Sequence, residues 1–414
     1  MINDTPRLKE FFLSLGYTEP EYLTIIDDYA IKKYTEDVLI KKVSEVYNFL
    51  LQDYNADEIK KMTTSFPAFY CYSVDNRKQK IEEMKSLGYT REEFVKMTKI
   101  VPTIYGHSIE NIKQKIEDIM SFGYTKEEVI KMTKSFPTLY SLSIENIKQK
   151  IAGMKLLGYT QEEVIKMTKG FPKIYGLSIE TIKQKIEDMK LLGYTQEEII
   201  KMTKFLPPIY GYTIDNIKQK IEDMKTLGYT QEEIIKMTKS APALYGCYIE
   251  TMKQKMDDMQ SLGYTKDDII KMTKDLPTLY YLAMDNIKQK LDDIESLGYT
   301  REEVIGMTKS LPSLFGYTVE NIKQKIDFYD SVGMHKLAVA TPRYLMQSVE
   351  LSYARYMYFK SRGVTINMDY YKILFTSNRK FREMYGVEKS TLIKEYPYKK
   401  SNNRKELKYD RVYQ

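Results

Sequence analysis

The chain has 414 residues, with 64 Lys and Arg against 57 Asp and Glu for a formal charge of +7, and a hydrophobic share of 43% that is ample for a folded core. Its two cysteines (Cys71, Cys247) and two histidines (His107, His335) lie far apart in sequence, which excludes a disulfide framework and a Cys/His metal spacing. No apolar run approaches the ~18 residues of a membrane helix, and MINDTPRLKEFF at the start lacks a signal-peptide core, so the expectation is a cytoplasmic protein with no membrane partner, metal or cofactor.

In chain order, residues 1–49 read as degenerate N-terminal capping helices, in which LGYT at 15–18 is a first copy of a motif that returns 37 residues later. Residues 50–330 read as a helical repeat array, because prolines 67, 102, 137, 172, 207, 242, 277 and 312 are each 35 residues apart. In the unit that begins LGYTQEEIIKMTKFLPPIYGYTIDNIKQKIEDMKT, Thr195 and Glu198 form a capping box that starts a short helix. Pro207 ends that helix, and Pro207–Gly211 is predicted as a tight turn. Thr213 caps a second helix with a single apolar stripe of Ile214, Ile217, Ile221, Met224 and Leu227, and Gly228 follows where a left-handed C-terminal cap favours glycine. Residues 331–371 read as a degenerate C-terminal repeat that has lost five residues before Pro342. Two helices cannot bury their apolar faces alone, so the fold class is all-α, an α-solenoid of 35-residue helix–Pro turn–helix repeats stacked as a curved superhelix.

The final segment, 372–414, holds 12 basic and 5 acidic residues, which leaves 52 of each sign for residues 1–371. The array is therefore neutral, and the C-terminal segment carries the whole excess, a pattern that suggests an anionic partner. Because everything after Gly386 lies beyond the last recognisable repeat, that part is expected to be dispensable for folding.

The pattern LGYT-x-E-E-I-I, then Pro, x, x, Tyr and a capped helix, resembles the repeat of the mitochondrial transcription termination factor family across roughly residues 50–363. TSNRKFREMYG (376–386) looks like the short Ser/basic/Phe motif that follows the last repeat in many members, and the chain is similar to a bacterial-like member with near-identical units. Tyr210 and its equivalents stand where the family commonly has leucine. The resemblance implies a non-catalytic protein that binds double-stranded DNA or RNA through a basic groove and acts in transcription termination or regulation.

Candidate contacts come from two places. On the first helices, lysine recurs as Lys201 and Lys204, Lys236 and Lys239, Lys271 and Lys274, so stacked repeats at ~10 Å spacing make rows of Lys204, Lys239 and Lys274. The second helices repeat Lys218-Gln219-Lys220, beside Asp215, Glu222 and Asp223, which would repel phosphate. In the C-terminal segment the candidates are Arg379, Lys380, Arg382, Lys399, Lys400 and Arg404, interleaved with Tyr and Phe as phosphate contact plus base stacking would use them. The column Tyr70 to Tyr280, ending in Phe315, reads as core more readily than as a stacking platform, and the row Asn146, Thr181, Asn216, Thr251, Asn286 as helix-start residues more readily than as a base code. There is no phosphate loop, His/Cys cluster or nucleophile elbow, so no enzyme is expected. The competing class is a protein-binding α-solenoid scaffold, and a monomer is expected in either case.

Overall fold

The computed structural model describes residues 5–399, and among them there is no β-strand. The chain divides into two compact units, one through Asn216 and one from Ile217. Each is built from the same repeat, and in each the first helices of successive repeats pack on one another, as do the second helices, giving two helical layers.

The 35-residue period is set by local chemistry. Gln196–Phe205 starts at a capping box in which the Thr195 N–H donates to Glu198 at 2.8 Å and the Glu198 N–H donates to the Thr195 hydroxyl at 3.3 Å. Leu206, kept out of the helical region by the proline after it (φ −129°, ψ 77°), ends the helix, and Pro207–Gly211 is one stretch of 3₁₀ helix. The Thr213 hydroxyl then accepts from the Asn216 N–H at 3.1 Å and opens Ile214–Leu227. Its stripe of Ile217, Ile221, Met224 and Leu227 is buried, and Gly228 turns the chain at φ 112°, a conformation that a side chain would disfavour. The turn, both caps and the apolar stripe are as the sequence predicts, except that Ile214 at its start is only half-buried.

What joins one repeat to the next was less legible. The tyrosine of each LGYT reaches into the following repeat. Tyr159 places its hydroxyl 2.6 Å from Thr203 and 2.5 Å from Tyr210, all three buried, and Thr203 in turn donates to the Ile199 carbonyl at 2.8 Å. Because a carbonyl only accepts, a single proton order satisfies the chain: Tyr210 donates to Tyr159, Tyr159 to Thr203, and Thr203 to the backbone. The same triad recurs as Tyr89, Thr133 and Tyr140 in the first unit and as Tyr229, Thr273 and Tyr280 in the second. It explains tyrosine where the resembled repeats have leucine, since the ring fills the same core while the hydroxyl adds a buried bond.

At the C-terminal end the first helix shrinks to Leu337–Ala340, followed by Pro342–Met346 and a helix, Val349–Lys360, that is buried on nearly all sides. The segment after Gly386 is not the independent appendage expected from the sequence. Lys389–Glu395 packs on Val349–Lys360 with Leu392 fully buried, Tyr398 meets the Tyr353 ring at 5.5 Å, and the Tyr396 hydroxyl lies 3.0 Å from Ser361. The reason is geometric: with its first helix cut to four residues, the last repeat leaves an apolar face on Val349–Lys360 that needs a cover.

Candidate nucleic-acid interface

The structure divides the recurrent lysines into two kinds. Lys204 sits 2.7 Å from Glu163, and Lys274 lies 2.7 Å from Glu233, in each case the capping-box carboxylate of the preceding repeat. Lys99 with Glu58, Lys134 with Glu93 and Lys169 with Glu128 repeat the arrangement, and Lys239 is not free either. The Lys204 ammonium, followed by the Thr160 N–H, holds the Glu163 carboxyl below its ordinary range. One glutamate therefore caps its own helix and ties down the next repeat, and the row expected to meet phosphate is largely neutralised.

The last lysine of most KQK stretches is also committed, to a backbone carbonyl of the next repeat, whereas Lys80 pairs with Glu83 on its own helix. Lys185 donates to the Tyr212 carbonyl, Lys220 to Cys247 and Lys255 to Leu282, each the residue that ends the next repeat's 3₁₀ turn. Burial lowers the pKa of Lys185 and Lys255 accordingly. Lys201 and Lys218 do face solvent, as do their equivalents Lys166, Lys236, Lys183 and Lys253, but a carboxylate accompanies each at four residues' spacing. Tyr210 is 3% exposed and cannot stack on a base. Asn146, Thr181, Asn216, Thr251 and Asn286 are exposed on the first turn of their helices, where the Asn146 and Thr181 N–H groups bond the capping hydroxyls.

The C-terminal end differs. From Lys360 to Lys399 there are nine basic residues, all exposed, against four acidic ones. Their placement follows from Arg355, which the sequence reading passed over. This arginine is buried within an otherwise aromatic and apolar helix face and donates to the Leu374 carbonyl at 2.8 Å, to the Thr376 carbonyl at 2.5 Å and to Asn378 at 3.0 Å. Its guanidinium also lies 4.4 Å over the Phe381 ring, and burial brings its pKa down to about 10. The signal available in the sequence was a lone arginine inside VELSYARYMYFK.

Ser377 caps the short helix Asn378–Tyr385, and Phe381 anchors it in a cluster with Tyr358, Phe359 and Tyr385. With Phe381 facing in, Arg379, Lys380 and Arg382 face out. Arg379 lies 3.7 Å from Glu383 and Arg382 3.0 Å from Glu388, both in water-exposed pairs, and Lys399 is also exposed. Lys400 and Arg404 lie outside the described residues. The structure thus brings Arg379, Lys380 and Arg382 together on one short helix and places Lys204 and Lys274 in structural ion pairs elsewhere.

Among the described residues no His, Cys, Asp and Glu group has a metal-binding arrangement, and no helix is long and apolar enough to cross a membrane. A family model, mTERF, matches residues 9–155, 145–261 and 215–382. No curated protein matches the chain.

Proposed function

The chain belongs to the mTERF family, and from that premise we propose that it binds nucleic acid without catalysing a reaction on it, acting in transcription termination or regulation. The observation that supports this reading best is the exposed basic surface of residues 360–399, held in place by Arg355 and Phe381 while the array beside it is close to neutral. Arg379, Lys380 and Arg382 are the contacts proposed on this surface, with Lys399, Lys400 and Arg404 extending it along the chain. The array lysines Lys204, Lys239 and Lys274 serve stacking first. Phosphate contacts release counterions, so affinity for duplex DNA should fall with a log–log salt slope of about −0.9 per contact. Replacing Arg379, Lys380 and Arg382 together by Ala should flatten that slope by two to three contacts, as read by fluorescence anisotropy over a salt series. An unchanged slope would remove the site. The ion-pair ladder, which leaves the repeats without a strong positive field, favours a protein-binding scaffold as the second reading, and a wild-type interaction insensitive to salt would support it.

A further inference from the structure

One stretch of the array breaks its own pattern in three ways at once. At the end of the second helix, repeats carry Ser or Thr, and Ser86, Ser121, Thr226, Ser261 and Ser296 each donate to the carbonyl three residues back. Two consecutive repeats have leucine there instead, Leu156 and Leu191, and these are 88% and 87% exposed, the most exposed large apolar side chains among the described residues. Each gives up a local hydrogen bond and leaves a hydrocarbon side chain in water.

The second departure is electrostatic. Lys113, Lys183, Lys218, Lys253 and Lys288 all have a carboxylate four residues on, whereas Lys148 has Ala152. The next position, Asp118 or Asp188 in the flanking repeats, holds the side chain of Gln114 or Gln184 at 2.9 and 2.8 Å. Here it is Gly153, and Gln149 turns back to Glu145 at 3.3 Å. The helix Ile144–Leu156 is left with Lys148, Lys150 and Lys155 against Glu145 alone. The third departure is steric: Ile179 of the next repeat occupies the space a side chain at Gly153 would need, with its methyl 2.5 Å from that position.

We infer that Leu156, Leu191 and the exposed Lys148 and Lys155 of Ile144–Leu156 form a docking surface for an acidic, amphipathic helical segment of a partner protein. The inference goes beyond nucleic-acid binding and does not depend on it. Equivalent side chains on adjacent repeats lie about 10 Å apart, the spacing of packed helices. Residues seven apart on a helix rise by about 10.5 Å, so two apolar side chains at that interval match the leucine pair. Carboxylates beside them would replace those missing at 152 and 153. A phosphate backbone would use the lysines and leave the leucines in water.

The test uses the full chain and a labelled Ala/Glu helical peptide with two leucines seven residues apart. Leu156→Ser with Leu191→Ser installs the residue that sister repeats carry, so the fold should persist, and a thermal melt checks it. The wild type should bind the peptide, the double variant at least tenfold more weakly, and A152E several-fold more weakly with a smaller salt dependence. Several results would overturn the inference: no binding by the wild type, equal affinity in the variants, or wild-type self-association in sedimentation that the double serine variant abolishes, which would make a second copy the occupant. Loss of duplex DNA affinity in the double serine variant would instead assign the face to nucleic acid. Retained DNA binding with lost peptide binding supports the inference and leaves the proposed function standing.

Discussion

Arg77 stands where Ile112, Ile147 and Ile182 stand in the following repeats, and it is fully buried. It donates to the Phe69 carbonyl and lies 3.9 Å over the Phe69 ring, but its Nε and Nη1 have no hydrogen-bond partner, and burial lowers its pKa to about 10. A buried guanidinium without a carboxylate is expensive, so R77I should raise stability by about 1–3 kcal/mol in chemical denaturation. A lower midpoint would mean that the rings around Arg77 require it. The hydroxyl triads make the opposite kind of site. Y159F would strand the Tyr210 hydroxyl, which should destabilise the protein by about 1–3 kcal/mol. F315Y supplies the hydroxyl missing beside Tyr264, which already lies 2.7 Å from Thr308, and should stabilise by about 0.5–1.5 kcal/mol. If both changes were neutral, the rings alone would account for the column.

Between elements, the ties are ion pairs and carbonyl contacts whose value is individually modest. Lys204 and Glu163 are each about one-third exposed, so the pair should contribute about 0.2–1 kcal/mol. K204E alone sets two carboxylates together and should destabilise the fold, while K204E with E163K should recover only the ion-pair part of the loss, because Glu163 also caps its own helix. Recovery of stability without recovery of DNA affinity would show a second, direct role for Lys204. The pH dependence follows from the same contacts. Glu93, Glu128, Glu163 and Glu233 are held below their ordinary value near 4.5, each first by the lysine of the next repeat. For Asp268, burial opposes ionisation, but the Lys309 and Thr265 bonds outweigh it and bring the pKa to about 2. The unfolded chain binds protons first as pH falls, so this stabilisation is complete above about pH 4.5 and is lost progressively below it, with the Asp268 share persisting to about pH 2. The buried tyrosines act in the other direction. Tyr89, Tyr124 and Tyr159 are raised by burial, so their contribution is complete below the ordinary tyrosine value near 10 and is lost as pH climbs beyond it. Melting temperatures should form a plateau between these limits, and a midpoint that rises on acidification from pH 7 to 4 would contradict the ion-pair assignment.

For the whole molecule, the C-terminal end joins fold to function. Deleting everything after Gly386 removes Leu392 and Tyr398 from the Val349–Lys360 helix, so it should lower the melting temperature as well as weaken DNA binding. Mutating Lys389, Lys394 and Lys399 to Ala keeps the cover and should weaken binding alone. A truncated protein as stable as the full chain would show that the last repeat does not need the cover.

The sequence by itself determined the repeat. Proline every 35 residues, a Thr-x-x-Glu box before most first helices of the array and glycine after its second helices act through the backbone within a few residues, so their effect can be read locally. The apolar stripes that make the core, and the burial of Tyr210, were legible for the same reason. Tertiary structure decided which polar groups are spent on stacking. Lys204 and Lys201 are three residues apart on one helix and alike in sequence, yet one meets Glu163 across a repeat boundary and the other meets water. The partner of Tyr159 lies 44 residues on, at Thr203, and that of Arg355 lies 23 on, at Asn378. Such contacts depend on how neighbouring helices pack, and one repeat read alone does not contain its neighbour.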